Sequence, residues 1–104
     1  VGMIHKFPSP ERKPAEFIEG YMARHFGEVK LDVLVYGHTH LEGLYRVGEM
    51  VCVNPGSPTL PKNQSIRHGT IGILDISTES STVSILQITE EGVRAHDSVQ
   101  PHSF

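Results

Sequence analysis

The sequence lacks the features that mark secreted, membrane-spanning and disulfide-rich proteins. Its one cysteine, Cys52, lies between two valines, so it cannot supply a disulfide framework and fits a reducing compartment. No apolar run approaches the roughly 20 residues that a membrane-spanning helix needs. No basic segment leads into an apolar core, as it does in a signal peptide. We therefore expect a cytoplasmic protein.

Positive charge is scarce as well. The chain has 9 Lys and Arg against 12 Asp and Glu, for a net charge of -3, and the cations are scattered along it. Nucleic-acid-binding domains carry a basic patch or stripe, so the sequence gives no signal for nucleic acid. Its 104 residues, 38% of them hydrophobic, predict a single domain over residues 1–104, with residues 93–104 as a tail.

A clear order of secondary-structure elements is present. Apolar residues recur at helical spacing over Pro14–Phe26, which predicts an amphipathic helix that ends at Gly27. Gly48 lies between two apolar runs, as in the turn of a hairpin. The predicted strands span residues 1–4, 31–36, 43–47, 50–53, 70–76 and 82–88. For the residues near Val93, a last strand and a frayed tail are both open.

This order predicts the α/β (α+β) class, with one βαβ unit followed by mostly antiparallel strands. The first residues, Val1–His5, have the pattern of a strand already under way. Such a start fits a fragment or a processed product, although a removed tag could also leave a chain without an initial Met.

Three histidines follow predicted strands. His38 and His40 come directly after the apolar run that ends at Tyr36, and His5 follows the first strand. Ligands of open α/β sheets lie outside the carboxyl ends of parallel strands, where these side chains are expected to meet. Imidazole is the commonest neutral metal ligand near pH 7. The sequence therefore predicts a metal site that contains His5, His38 and His40.

The remaining titratable residues do not complete such a site. We expect the other four histidines to lie at the surface or in solvated loops: His25, His68, His96 and His102. Two divalent ions close together need a bridging anionic ligand. None of the candidate carboxylates, Asp32, Asp75 and Asp97, has a convincing position at the predicted edge.

Two motifs give the chain a family resemblance. Gly37-His38-Thr39-His40, followed by Asn54-Pro55-Gly56-Ser57, resembles the C-terminal half of the calcineurin-like metallophosphoesterases, in particular their small single-domain phosphodiesterases. The resemblance extends from about Val1 to Ile88. It implies that the chain is a single partial domain, the C-terminal portion of a longer one, and that it forms the C-terminal part of a two-sheet αββα sandwich.

The resemblance also implies a set of metal ligands. By analogy with the family, His38 binds the second of two divalent metal ions and His40 binds the first. His5 occupies the place of a further ligand to the second metal, although Lys6 stands where the family usually has Gly. The family's other motifs, Asp-x-His, Gly-Asp and Gly-Asn-(His or Cys)-Asp, have no counterpart in this chain.

The function that this implies is hydrolysis of a small-molecule phosphate ester, most simply a phosphodiester, by a metal-bridged hydroxide. Mn, Fe, Zn and Ni are all open as the metal. Lys62 and Arg67 are candidates to bind the substrate phosphate as cations. We identify no catalytic residue in this chain, and we expect the chain alone to be inactive because it lacks the bridging carboxylate.

Two alternatives remain at this point. One is a protein-interaction scaffold of the same fold, a role that a retromer subunit of this fold has. The other is a half-domain, inactive by itself, that pairs with a polypeptide carrying the missing ligands. Unpaired sheet edges would make such a half-domain prone to self-association.

Overall fold

The structure is a computed structural model that describes all residues from 1 to 104. It contains one helix and eight strands: β1 (Gly2–Met3), α1 (Ala15–Phe26), β2 (Val33–Val35), β3 (Gly43–Val47), β4 (Met50–Asn54), β5 (Thr70–Ile76), β6 (Ser81–Thr89), β7 (Gly92–Ala95) and β8 (His102–Ser103). The predicted α/β class is confirmed. None of these elements is a helix with the length and hydrophobicity needed to cross a membrane.

The first sheet has the strand order β1-β2-β4-β3 and contains the predicted βαβ unit. β1 and β4 both run parallel to β2, and β3 is antiparallel to β4. Gly48, with a φ of 60°, allows the tight turn between β3 and β4. Three strands of this sheet, β1, β2 and β4, therefore end at one edge.

Helix α1 covers one face of this sheet. Pro14 precedes its first turn, where a missing N–H is tolerated, and Gly27 follows its last residue. Ile18 is fully buried and packs in one cluster with Leu34 and Cys52 of the central strands. The helix therefore lies within one residue of the bounds that its apolar periodicity predicted.

The second sheet packs on the opposite face. Its strand order is β5-β6-β7, and β8 pairs with the other part of β6. Val83 and Ile85 of β6 are 1% exposed and pack against Val33, Val51 and Val53 of the first sheet. β2 and β4 are therefore covered on both sides, which explains their nearly continuous apolar sequence.

The tail that follows β6 is ordered by pairing. Residues 93–104 include most of β7 and all of β8, and both strands hydrogen-bond to β6. The sequence left a last strand and a frayed tail both open near Val93, and the structure has a strand there. The tail thereby returns to the junction between the two sheets, where Val99 and Phe104 pack against the shared core.

Candidate active site

The carboxyl ends of β1 and β2 bring two histidines into contact. The Gly37 N–H donates to the carbonyl of His5 at 3.0 Å, so the pairing of the chains continues past the strand ends. His5 Nε2 and His38 Nδ1 lie 3.1 Å apart, and the two exposed rings meet edge to face. The parallel arrangement of β1 and β2 is the direct cause of this contact between residues 33 positions apart.

The loop that follows β2 has an unusual backbone. His38 and His40 adopt φ angles of 76° and 62°, in the left-handed region that L-residues with a side chain rarely occupy. Each such residue carries strain of about 1–2 kcal/mol. Strain of this kind persists where the surrounding structure holds it, and it is concentrated at functional sites.

Asn54 holds this loop from the end of β4. Its amide nitrogen donates to Thr39 Oγ1 at 3.0 Å, and its amide oxygen accepts from the Gly56 N–H at 3.0 Å. Asn54 is 1% exposed, whereas its partners Thr39 and Gly56 lie nearer the surface. The two sequence motifs, residues 37–40 and 54–57, are thus joined through one buried amide.

His40 is held by a different segment. Its Nδ1 lies 3.0 Å from the carbonyl oxygen of Leu60, and its own carbonyl accepts from the Lys62 N–H at 3.0 Å. A carbonyl oxygen can only accept, so Nδ1 must carry the proton. In the neutral ring this leaves the lone pair on Nε2, and metal-binding histidines commonly donate their other ring N–H to a carbonyl in this way.

The electrostatic surroundings keep His38 neutral. Desolvation lowers the pKa of His38 below its usual value, and the nearby Lys6, His5 and His40 lower it further. A neutral imidazole has a lone pair available for a metal ion or a proton donor. Near pH 7 the ring is therefore in the form that a metal requires.

Carboxylates do not join these histidines. No group of three or more His, Cys, Asp or Glu side chains is placed to hold a metal ion. Asp32 precedes β2 at the opposite end of the strand, Asp75 is exposed in β5, and Asp97 pairs with Arg94. The edge that carries His5 and His38 therefore has imidazoles and no carboxylate beside them.

The two candidate phosphate-binding cations lie in different places. Lys62 lines a hollow of about 180 Å³ beside Thr39, together with Arg12, Tyr36 and Tyr45. Arg67 instead forms an exposed ion pair of 3.0 Å with Glu90, which belongs to another hollow. The structure brings Lys62 to the edge that carries the histidines and does not bring Arg67 there. Arg12 was not singled out from the sequence.

The prediction that His96 is exposed was wrong. His96 is 7% exposed, and its Nε2 lies 2.7 Å from Oε2 of the equally buried Glu42. His25 is exposed as expected, whereas His68 and His102 are half-buried. The only signal for the buried pair was the presence of Glu42 inside an apolar segment, and nothing in the sequence identified its partner 54 residues away.

Comparison with known proteins defines the family. The domain model of the calcineurin-like phosphoesterase superfamily matches residues 1–79, and the chain belongs to that superfamily. The resemblance that the two motifs carried is therefore confirmed. The last 25 residues, which contain β7, β8 and His96, lie outside that match.

Individual relatives agree with this assignment. Over 70 residues the chain is 34% identical to phosphodiesterase YfcE of Escherichia coli, which covers 67% of this chain and 35% of that protein. Over 63 residues it is 38% identical to a probable metallophosphoesterase of Methanothermobacter thermautotrophicus. This match covers 60% of this chain and 33% of that protein. The chain thus aligns with about a third of the length of these curated relatives.

The fold agrees with a solved structure. Wild-type Vps29 of Entamoeba histolytica, complexed with zinc, superposes with a TM-score of 0.61 at 20% identity. The match covers 97% of this chain and 52% of that chain. At this identity the comparison shows the two-sheet fold alone, and it confirms the expected sandwich.

Proposed function

We propose that this chain contributes the histidine side of a metal-dependent phosphoesterase site. Membership of the superfamily and similarity to a phosphodiesterase support this function. We propose phosphodiester hydrolysis as the reaction and a small-molecule phosphate ester as the substrate. The buried, unpaired thiol of Cys52 supports a reducing, cytoplasmic location.

The observation that carries the proposal is the distance between His5 Nε2 and His38 Nδ1, which is 3.1 Å. Two imidazole nitrogens, each about 2.0–2.1 Å from one metal ion at tetrahedral or octahedral angles, lie about 2.8–3.4 Å apart. The pair therefore has the separation that two ligands of one ion need. We assign His5 and His38 to one metal ion and His40, through Nε2, to a second.

The donor set fits part of a two-metal centre. The three imidazoles suit Mn, Fe, Zn or Ni, but two adjacent cations also need anionic ligands, which these residues do not include. β1 pairs only with β2, so its outer edge is open to a further strand. We infer that the carboxylates come from a polypeptide segment that pairs with this edge.

Bound divalent ions would activate water and offset the charge that develops on the phosphoryl oxygens. The chain's own residues would orient the substrate. We propose that Lys62 and Arg12, which line the hollow beside Thr39 together with Glu11, bind the phosphate as cations. Asn54 holds Thr39, and with it the strained loop between the two histidine ligands, in one conformation.

Metal titration of the 104-residue chain tests this function. We expect Zn²⁺ to bind in calorimetry, and we expect His38→Ala to weaken this binding at least tenfold because one of two adjacent ligands is lost. His25→Ala, on the exposed face of α1, is the matched control and should leave the affinity unchanged. Equal affinity in the two variants would overturn the assignment of His38.

Hydrolysis of bis(p-nitrophenyl) phosphate in Mn²⁺ provides the second measurement. We expect no turnover by the isolated chain, because no carboxylate is available to bridge two ions. Turnover that disappears with His38→Ala would contradict this expectation. It would mean that these residues form a complete site.

A further inference from the structure

A buried polar pair connects the tail of the chain to the start of β3. The side chains of Glu42 and His96 are 2% and 3% exposed, and Glu42 Oε2 lies 2.7 Å from His96 Nε2. They are 54 residues apart in sequence, and His96 lies outside the part of the chain that matches the superfamily. A buried carboxylate without hydrogen bonds would be strongly destabilising, so Glu42 depends on the partners that it finds here.

The hydrogen bonds of His96 define its tautomer. The backbone N–H groups of Ser98 and Val99 both donate to Nδ1, with N···N distances of 3.1 Å and 3.2 Å. Nδ1 must therefore be unprotonated, and Nε2 carries the proton that it donates to Glu42. The ring is held from both sides, so it fixes the carboxylate in one position.

Glu42 in turn holds the segment that contacts His40. Asn63 donates from Nδ2 to the same Glu42 oxygen at 3.1 Å. The residue before it, Lys62, donates its N–H to the carbonyl of His40, and the carbonyl of Leu60 accepts from the His40 ring. One buried carboxylate oxygen therefore anchors the loop that orients the His40 imidazole.

Two buried side chains hold this loop. At its start, the Leu60 N–H donates to Oγ of Ser57, which is 8% exposed, at 2.9 Å, and Glu42 holds its other end through Asn63. Leu60 is 67% exposed, and Lys62 is exposed as well, so the contacts to His40 are made by residues outside the core. His40 also carries the strained φ of 62°. Without a fixed Asn63, water would compete for the groups that form the hydrogen bonds with the His40 ring and carbonyl.

We propose that His96, acting through Glu42 and Asn63, is a positioning residue that holds the His40 imidazole with Nε2 available as a ligand. The orientation of the ring is a property of the metal-free chain. Only its consequence for metal binding rests on the proposed function. Groups that support a metal ligand from behind typically change metal affinity about 10–100-fold when they are removed.

Two variants break the connection in different ways. The double variant E42L/H96L replaces both polar partners by apolar side chains, a change that buried pairs often tolerate in stability, yet it removes the acceptor of Asn63. N63A removes the link, together with the oxygen that accepts from Ser65, and leaves the Glu42–His96 pair in place. H96Q keeps a donor close to Nε2 and should preserve the wild-type behaviour. R94A, in the exposed Arg94–Asp97 pair of the same tail, is the matched control.

The first readout is the tautomer of His40 in the metal-free chain, from nitrogen-15 NMR shifts. We expect the Nδ1–H form in wild type, H96Q and R94A, and a mixture of tautomers in E42L/H96L and N63A. An unchanged His40 pattern in N63A and in a folded E42L/H96L would overturn the proposal. If the double variant does not fold, N63A carries the test alone.

The second readout is Zn²⁺ affinity at a temperature where the folded state of each variant is confirmed by circular dichroism. We expect a loss of about tenfold in E42L/H96L and N63A and none in R94A. A wild-type chain that fails to bind Zn²⁺ would overturn the proposed function, while the NMR result would still decide whether His96 positions His40. Wild-type affinity in N63A would overturn the link to metal binding.

Discussion

Two short contacts that involve histidine can be compared within this chain. His5 and His38 lie 3.1 Å apart at an exposed edge, whereas His96 and Glu42 lie 2.7 Å apart with side chains at most 3% exposed. The exposed rings can exchange their mutual contact for water or a metal ion at little loss. The buried ring cannot, because its partner would lose a hydrogen bond that water does not replace. The surroundings, and not the residue type, decide which histidine can bind a ligand.

The largest expected effect comes from breaking the buried contact. His96→Ala leaves Glu42 buried with one donor fewer, and the carboxylate already has one oxygen, Oε1, without a partner. We expect a loss of about 3 kcal/mol in the free energy of unfolding, measured by urea denaturation. The matched change at the exposed edge, His5→Ala, should leave the urea midpoint unchanged. Equal midpoints for the two variants would show that the buried contact stabilises the fold no more than the exposed one does.

A smaller effect is expected from the strained backbone at the exposed edge. Glycine tolerates the φ of 76° at position 38, so His38→Gly should raise the urea midpoint even though it removes a candidate ligand. His25→Gly, in the last turn of α1, should lower the midpoint because glycine disfavours a helix and because the ring's contact with the Tyr21 carbonyl is lost. A lower midpoint for His38→Gly would show that the His5–His38 contact stabilises the fold more than the strain opposes it.

The pKa of His38 provides a test of the surroundings at the exposed edge. Its folded pKa is lowered, first by desolvation and then by Lys6, His5 and His40, so the unfolded chain binds more protons below about pH 6.5. His38 therefore reduces stability as the pH falls through that value and has no such effect above it. An NMR titration should give a midpoint below 6.5, and Lys6→Gln should raise it. A midpoint above 6.5 would show that these surroundings do not lower the pKa of His38.

The smallest expected change concerns Cys52, another buried titratable group. Burial raises the pKa of its thiol to about 12, and the residue is 0% exposed. The thiolate is the reactive form, so the folded chain should not react with iodoacetamide at pH 8, whereas the urea-unfolded chain should react completely. Labelling of the folded chain would show that the central sheet opens at this position.

Local sequence patterns predicted most of the fold. The helix begins and ends within a residue of its predicted bounds, and the β3–β4 hairpin turns at Gly48 as expected, because both signals depend on neighbouring residues. The parallel pairing of β1 with β2 follows from the helix between them. β2 is shorter than predicted, with regular pairing only over Val33–Val35, since the next residues turn into the strained loop.

The candidate site was predictable only in part. His5 and His38 were expected at one edge and do meet there, because the strand order fixes where their side chains are delivered. The separation of Lys62 from Arg67 was not predictable, since both lie in one long loop whose path depends on contacts with His40 and Glu90. The burial of His96 was likewise hidden, because a tail residue shows no periodic signal.

The order and type of neighbouring residues were enough to predict the family, the βαβ unit and the two motifs at residues 37–40 and 54–57. Three contacts instead arise from the packing of the whole chain: His96 pairs with Glu42, Asn54 joins the two motifs through Thr39, and Lys62 lies beside Thr39. These contacts join residues 15 to 54 positions apart. Their geometry is set by the packing of two sheets, and no local preference encodes it.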